Sequence, residues 1–124
     1  MKKWILLVVD RNPYIRSFLQ RELSTAGYEV GLAANGRQAM EWVGSSRPFD
    51  LLIIDPDMPD ASGEELLHKL YSKMPNLPIV VHTLFSDYEK YHKTKKVTAC
   101  IEKSGSSIEK LKAVVSKIVC RSAD

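Results

Sequence analysis

Four residues of types that do chemistry follow short apolar runs in this chain: Asp10 after 4–9, Asp55 after 51–54, Thr83 just beyond 79–81, and Lys103 after 97–102. A core needs no carboxylate, hydroxyl or ammonium at such points, because a buried charge is costly unless it is paired. Two carboxylates beside a lysine suit a hard divalent cation, with the amine contacting an anionic oxygen brought in with it. A carboxylate can also accept a phosphoryl group, forming an acyl phosphate whose charge a metal and a lysine neutralise. Taken singly, each Asp reads as a cap for the loop after it, as Asp often is at strand ends. The coincidence of all these ends argues for a site.

For those side chains to meet, the runs must be neighbouring strands. Residues 4–9, 51–54 and 79–81 lack alternation, as strands buried on both faces do. A weaker run covers 28–33. Residues 97–102 alternate, with Val97, Ala99 and Ile101 on one side, which predicts a half-exposed edge strand. Between the runs lie helical patterns. Asn12 and Pro13 open a helix carrying Ile15, Phe18, Leu19 and Leu23, which Gly27 closes. Asn35 can cap a shorter helix through Ala39, Met40 and Val43. Ser62 with Glu65, and Ser106 with Glu109, read as capping boxes. Residues 86–96 have helix-compatible residues but almost no aliphatic stripe, so a short or mobile helix is expected there. Five alternations of strand and helix predict an α/β fold, a doubly wound parallel sheet with helices on both faces, in a three-layer αβα sandwich. In such sheets a ligand site lies outside the carboxyl ends of the strands, at the switch point of strand order.

With 124 residues, 44% apolar and 27% charged, the chain reads as one domain over 1–124, without room for a second. A formal net charge of +3 is mildly basic and falls short of a nucleic-acid-binding signature, so no direct nucleic-acid contact is expected. The two cysteines, Cys100 and Cys120, form no CxxC pair and read as small apolar residues in a reducing, cytoplasmic setting. The apolar run that ends at Asp10 is too short for a signal peptide, and none is long enough to span a bilayer. His68, His82 and His92 lack metal-ligand spacing and are expected at the surface or rim without a role, and only His82, next to Thr83, is close enough to the site to matter. Lys90, Lys93, Lys95 and Lys96 read as a solvated face, with docking of an acidic partner as the functional alternative. Tyr88 and Tyr91 need no role beyond shielding the sparse helix.

Taken in order, Leu-Val-Val-Asp10, Asn12-Pro13-Tyr14-Ile15-Arg16, Asp50 through Asp55-Pro56-Asp57-Met58-Pro59, Gly63, Leu77-Pro78 through Thr83, and Lys103 resemble the receiver domain of bacterial two-component response regulators, the family of the chemotaxis response regulator. The resemblance runs from Leu6 to about Val119. It implies a flavodoxin-like sheet of order 2-1-3-4-5 and a phosphorelay role. By the resemblance, Asp55 is phosphorylated by a sensor histidine kinase or phosphotransfer protein, and Mg²⁺ is held by Asp10, Asp55 and the backbone carbonyl of Asp57. Thr83 turns its hydroxyl toward the phosphoryl group and Lys103 contacts it. Met58 and Pro59 shape the loop, and Gly63 permits the tight turn into the third helix. The domain is then a phosphoacceptor rather than an enzyme, with at most slow self-phosphorylation and dephosphorylation. A downstream protein target is implied but not identified, and the fourth and fifth helix surfaces carry the signal and can serve a homodimer. As no output domain follows residue 120, the chain is read as a stand-alone receiver or a fragment.

Four positions depart from the family pattern. Arg11 replaces the second acid beside Asp10, and a positive charge roughly 5 Å from a divalent ion disfavours binding by several kcal/mol even at an effective dielectric near 20. Weak Mg²⁺ binding is therefore expected, unless Arg11 swings outward or its guanidinium takes the metal's place and bridges Asp55 to Asp10 or Asp57. Leu84 stands where a small residue is usual and can crowd the path to Asp55. Ser104 replaces a proline, and Cys100 replaces the aromatic whose rotation reports phosphorylation. These departures motivate a second hypothesis, a pseudo-receiver that binds partners without phosphorylation. A flavodoxin-like FMN carrier would need a hydroxyl- and glycine-rich loop after the first strand, which Asp10-Arg11-Asn12-Pro13 is not.

Overall fold

Each apolar run becomes a strand, and the helical patterns fall between them. The computed structural model describes residues 3–92, 94 and 96–123. The strands are β1 (Ile5–Val9), β2 (Glu29–Ala33), β3 (Leu51–Ile54), β4 (Ile79–Thr83) and β5 (Ala99–Glu102). The helices are α1 (Pro13–Thr25), α2 (Gly36–Gly44), α3 (Gly63–Lys73), α4 (Phe85–Tyr91) and α5 (Ser107–Ala123). All strand pairs are parallel and the order is β2-β1-β3-β4-β5. β1 and β3 are neighbours although β2 lies between them in sequence, so the switch point opens above the ends of β1 and β3.

The non-alternating strands are buried on both faces. Leu7, Val9, Leu52, Ile54, Ile79 and Val81 pack under α2, α3 and α4, while Leu6, Val8, Leu51, Ile53 and Val80 pack under α1 and α5. α1 contributes Leu19 and Leu23 to its layer, and α5 contributes Leu111, Val115 and Val119. Lys112 and Glu22 join those two helices at 3.0 Å. The helix starts follow the sequence signals. Asn12 Oδ1 accepts from the Tyr14 N–H at 2.9 Å, Asn35 Oδ1 from Gln38 at 2.8 Å, and Ser62 Oγ from Glu65 at 3.4 Å. Gly27, at φ 102°, supplies the left-handed step after α1.

Three expectations change. Val97 lies outside β5 and packs with the α2–α3–α4 layer, opposite Ala99 and Ile101, because the chain is not yet extended there. Ser106 precedes α5 directly, and its hydroxyl pairs with that of Ser104 at 3.4 Å. Gly63 has no positive φ. Its requirement is space, because an added Cβ would meet the Tyr91 hydroxyl and would lie 2.9 Å from the Pro56 Cβ.

The same contact explains the sparse helix. α4 is seven residues long and lacks a side-chain cap, yet Tyr91 is 5% exposed and inserts into the core beside α3. One buried ring stands in for the missing aliphatic stripe. Lys90 lies 3.4 Å from Glu64, and Lys96 Nζ donates to His68 Nδ1 at 2.8 Å, so these lysines fold back on α3. Lys93 and Lys95 lie outside the described residues. Gly63→Ala is expected to destabilise the fold by about 1–3 kcal/mol, as overpacking does. Adding Tyr91→Phe to that variant should return part of the loss, as read from urea midpoints. No recovery would show that Pro56 alone sets the limit.

Candidate functional site

Ladder bonds continue past the strand ends and fix the backbone of the polar residues. Asp10 N–H donates to the Ala33 carbonyl at 3.1 Å, Asp55 N–H to Val9 at 3.0 Å, and Lys103 N–H to Thr83 at 2.7 Å. Three strand ends thus carry their side chains to one rim.

Lys103 is the hub. Its Nζ lies 2.6 Å from Asp55 Oδ2 and 2.8 Å from Asp10 Oδ2, and both carboxylates are almost fully buried. The other Asp55 oxygen accepts from Thr83 Oγ1 at 3.2 Å and from the Asp57 N–H at 3.0 Å. The other Asp10 oxygen accepts from the Asn12 N–H at 2.8 Å, and Arg16 Nη1 donates to the Asp10 carbonyl at 2.7 Å. Burial pulls the Lys103 pKa down, but hydrogen bonds and charge from Asp10 and Asp55 outweigh it and leave it above the ordinary lysine value. The ammonium is therefore charged and locks the carboxylates together.

Arg11 does not enter this cluster. Its Nη1 lies 3.6 Å from Asp57 Oδ1, with both side chains more than half exposed. Of the two geometries open to it, it takes the outward one and bridges only to Asp57. Leu84 is 55% exposed and lines the same pocket as Asp10, Asp55 and Lys103, at its mouth. Cys100 lies beside α4, its Sγ 4.0 Å from the Tyr88 carbonyl, and burial pushes its thiol up to about 11, so it is an inert thiol.

Asp10 and Asp55 fit Mg²⁺, which binds through one or two carboxylates and keeps several waters. The set is lean: no cluster of three or more His, Cys, Asp or Glu placed to hold a metal occurs among the described residues. Both carboxylates are already satisfied by Lys103, so a cation must compete with an ammonium.

Sequence reasoning missed Asp60 and the burial of His82. Asp60 accepts from the Gly36 and Arg37 N–H groups at 2.9 and 3.0 Å and so ties the loop after Asp55 to α2. Those bonds hold its carboxyl below the usual range. His82, expected at the surface or rim, is 3% exposed, because β4 runs two residues past its apolar stretch and turns His82 toward α5. Its Nε2 lies 3.1 Å from Ser107 Oγ. Burial, then the charge of Lys103, lower its pKa to about 4 against the opposing pull of Asp55. The sequence places His82 and Thr83 at the end of this strand but carries no sign that the ring is buried against α5. His68 is exposed, and His92 stacks on Tyr88 with centroids 5.0 Å apart.

The fold and pocket define a class: a doubly wound domain with an acidic, lysine-closed pocket at its switch point. A profile of the response regulator receiver domain matches residues 6–115, and the chain belongs to that family. Response regulator MprA of Mycolicibacterium vanbaalenii is 42% identical over 78 residues, 63% of this chain and 33% of that protein, so the match spans about a third of that relative's length. Chemotaxis response regulator CheY4 of Vibrio cholerae superposes with TM-score 0.82 at 30% identity, covering 94% of this chain and 99% of CheY4. TrrA of Thermotoga maritima has been solved with Mg²⁺ and BeF, and matches with TM-score 0.82 at 33% identity, covering 93% of this chain and 98% of its own. TrrA has also been solved in complex with histidine kinase ThkA, where the match covers 93% of this chain and 97% of that one, with TM-score 0.81 at 33% identity. Receiver domains are signalling domains of two-component systems rather than ordinary enzymes, and they generally bind Mg²⁺ at the phosphorylation site. No helix among the described residues is long and apolar enough to cross a membrane.

Two measurements probe the buried charges. Lys103→Met leaves two facing carboxylates without their cation and should cost about 3–5 kcal/mol, a loss that millimolar Mg²⁺ partly offsets. Unchanged urea midpoints would show that the triad contributes nothing. Because the His82 pKa is lower in the fold than in the unfolded chain, the unfolded state takes the proton first as pH falls. Stability should then drop between pH 6.5 and about 4, by at most about 1.4 kcal/mol per pH unit. His82→Gln should remove that slope, and identical wild-type and variant profiles would exclude it.

Proposed function

We propose that Asp55 is the phosphoacceptor of a two-component phosphorelay, charged by a sensor histidine kinase or a phosphotransfer protein. The observation that carries this reading is the Lys103 ammonium, 2.6 Å from Asp55 and 2.8 Å from Asp10. In the reaction an Asp55 oxygen attacks the donor's phosphorus, the phosphorus–nitrogen bond of the donor imidazole breaks, and the electron pair leaves with the imidazole. Lys103 then moves with the phosphoryl oxygens, and Thr83, already 3.2 Å from Asp55, donates its hydroxyl to them. Asp10 and Asp55 with the Asp57 carbonyl would hold Mg²⁺, which when bound neutralises charge on the phosphoryl group. Asp57 offers its backbone there while its side chain engages Arg11.

Arg11 also supports the second reading, a pseudo-receiver. A guanidinium at the pocket rim repels a divalent ion, and its half-exposed position reduces that effect without abolishing it. We infer weak Mg²⁺ binding and slow phosphorylation, with Leu84 narrowing the entrance. Signalling would pass through the α4 and α5 surfaces to a protein target in the cytoplasm.

Incubation with a small phosphodonor and Mg²⁺ followed by intact-mass measurement tests the main reading. Wild type should gain one phosphoryl mass and Asp55→Asn none. Absence of any gain at high Mg²⁺ favours the pseudo-receiver. Arg11→Asp should tighten Mg²⁺ binding at least about tenfold, roughly 1.4 kcal/mol, and unchanged affinity would remove Arg11 as the cause of weak binding.

A further inference from the structure

Behind the pocket lies a buried polar pair that phosphoryl transfer does not use. His82 directly precedes Thr83 on β4, and Ser107, 7% exposed, is the first residue of α5. Between β5 and α5, residues 103–107 pass through Gly105, which has no side chain to hold the segment in place. That segment is pinned at both ends to consecutive residues of one strand. Lys103 N–H donates to the Thr83 carbonyl at 2.7 Å, and Ser107 Oγ lies 3.1 Å from His82 Nε2. Within the segment, the Ser107 N–H donates to the Ser104 carbonyl at 3.1 Å.

Packing alone does not account for a histidine here. Its Nδ1 is buried with no hydrogen-bond partner among the described residues, and an apolar side chain of similar volume would avoid that unpaired atom. What the histidine adds is the link to Ser107. Being neutral, it adds no second positive charge beside Lys103.

Resting on the reading of Asp55 as phosphoacceptor, we propose that His82 is a positioning residue. Through Ser107 it holds residues 103–107 so that Lys103 meets Asp55, and it ties the first turn of α5 to the strand that bears Thr83. In a chain with Cys100 in place of the reporting aromatic, this link connects the pocket to the α5 surface.

Amide hydrogen exchange on the unphosphorylated chain tests the proposal, alongside urea midpoints and the rate of phosphoryl gain from a small phosphodonor. In His82→Leu, the Lys103 and Ser107 amides, which donate to the Thr83 and Ser104 carbonyls, should exchange about fivefold faster, the factor for one lost hydrogen bond, with no drop in the urea midpoint. Phosphoryl gain should slow by a similar factor. Ser107→Ala should match it, the double variant should be no worse than either single one, and His82→Gln should restore wild-type exchange. Unchanged exchange in His82→Leu overturns the proposal, as does faster exchange spread over the whole chain with a lowered midpoint. If wild type gains no phosphoryl group, the phosphoacceptor reading fails, while the exchange of the Lys103 and Ser107 amides still decides the positioning role.

Discussion

The ammonium of Lys103, held between the buried carboxylates of Asp10 and Asp55, is the contact on which the rest of this molecule depends. Two carboxylates that close in a poorly solvated rim repel each other strongly, and the ammonium between them offsets that repulsion. β1, β3 and β5 each deliver one member of the triad, so the sheet order and the charge balance are two sides of one constraint. The same contact defines the competition any metal must face. A divalent ion gains access to the carboxylates only as it displaces or shares them with the lysine.

Around that hub the loops are fastened by short polar bonds rather than by apolar packing. Asp60 anchors the loop after Asp55 on the amides that open α2. Asn12 both caps α1 and donates its amide to Asp10. Tyr91 seats α4 against α3 at the one place where Gly63 leaves room for it. These devices fix a rim of irregular backbone whose own sequence offers little to bury.

Three of the four departures from the family pattern, Arg11, Leu84 and Ser104, line the pocket. Arg11 is paired with Asp57 and Leu84 is exposed at the mouth, while Cys100 lies outside the pocket, against the Tyr88 carbonyl of α4. On the inner side, the Asp55 carboxylate, the Thr83 hydroxyl and the Lys103 ammonium keep close geometry. The groups proposed to meet a phosphoryl group thus match the family pattern, and the residues that depart from it lie around them.

By itself, the sequence determined the layers, the caps of α1, α2 and α3 and the placement of Asp10, Asp55, Thr83 and Lys103 at strand ends. These follow from local periodicity and from capping chemistry that acts within a few residues. Only the tertiary structure decided which partners each side chain takes. That Arg11 turns out to Asp57, that His82 is buried against Ser107, that Asp60 reaches α2 and that Gly63 yields its space to Tyr91 all depend on contacts between residues far apart in the chain. Periodicity carries no information about such pairs, because it records which face a residue occupies and not what lies across from it. The resemblance to receiver domains supplied the sheet order and the site roles, while the burial of His82, beyond the apolar run of β4, was hidden by its polarity. The Lys103 triad sits between the two regimes: its members were legible one by one, and their meeting is a property of the parallel sheet that brings three strand ends together.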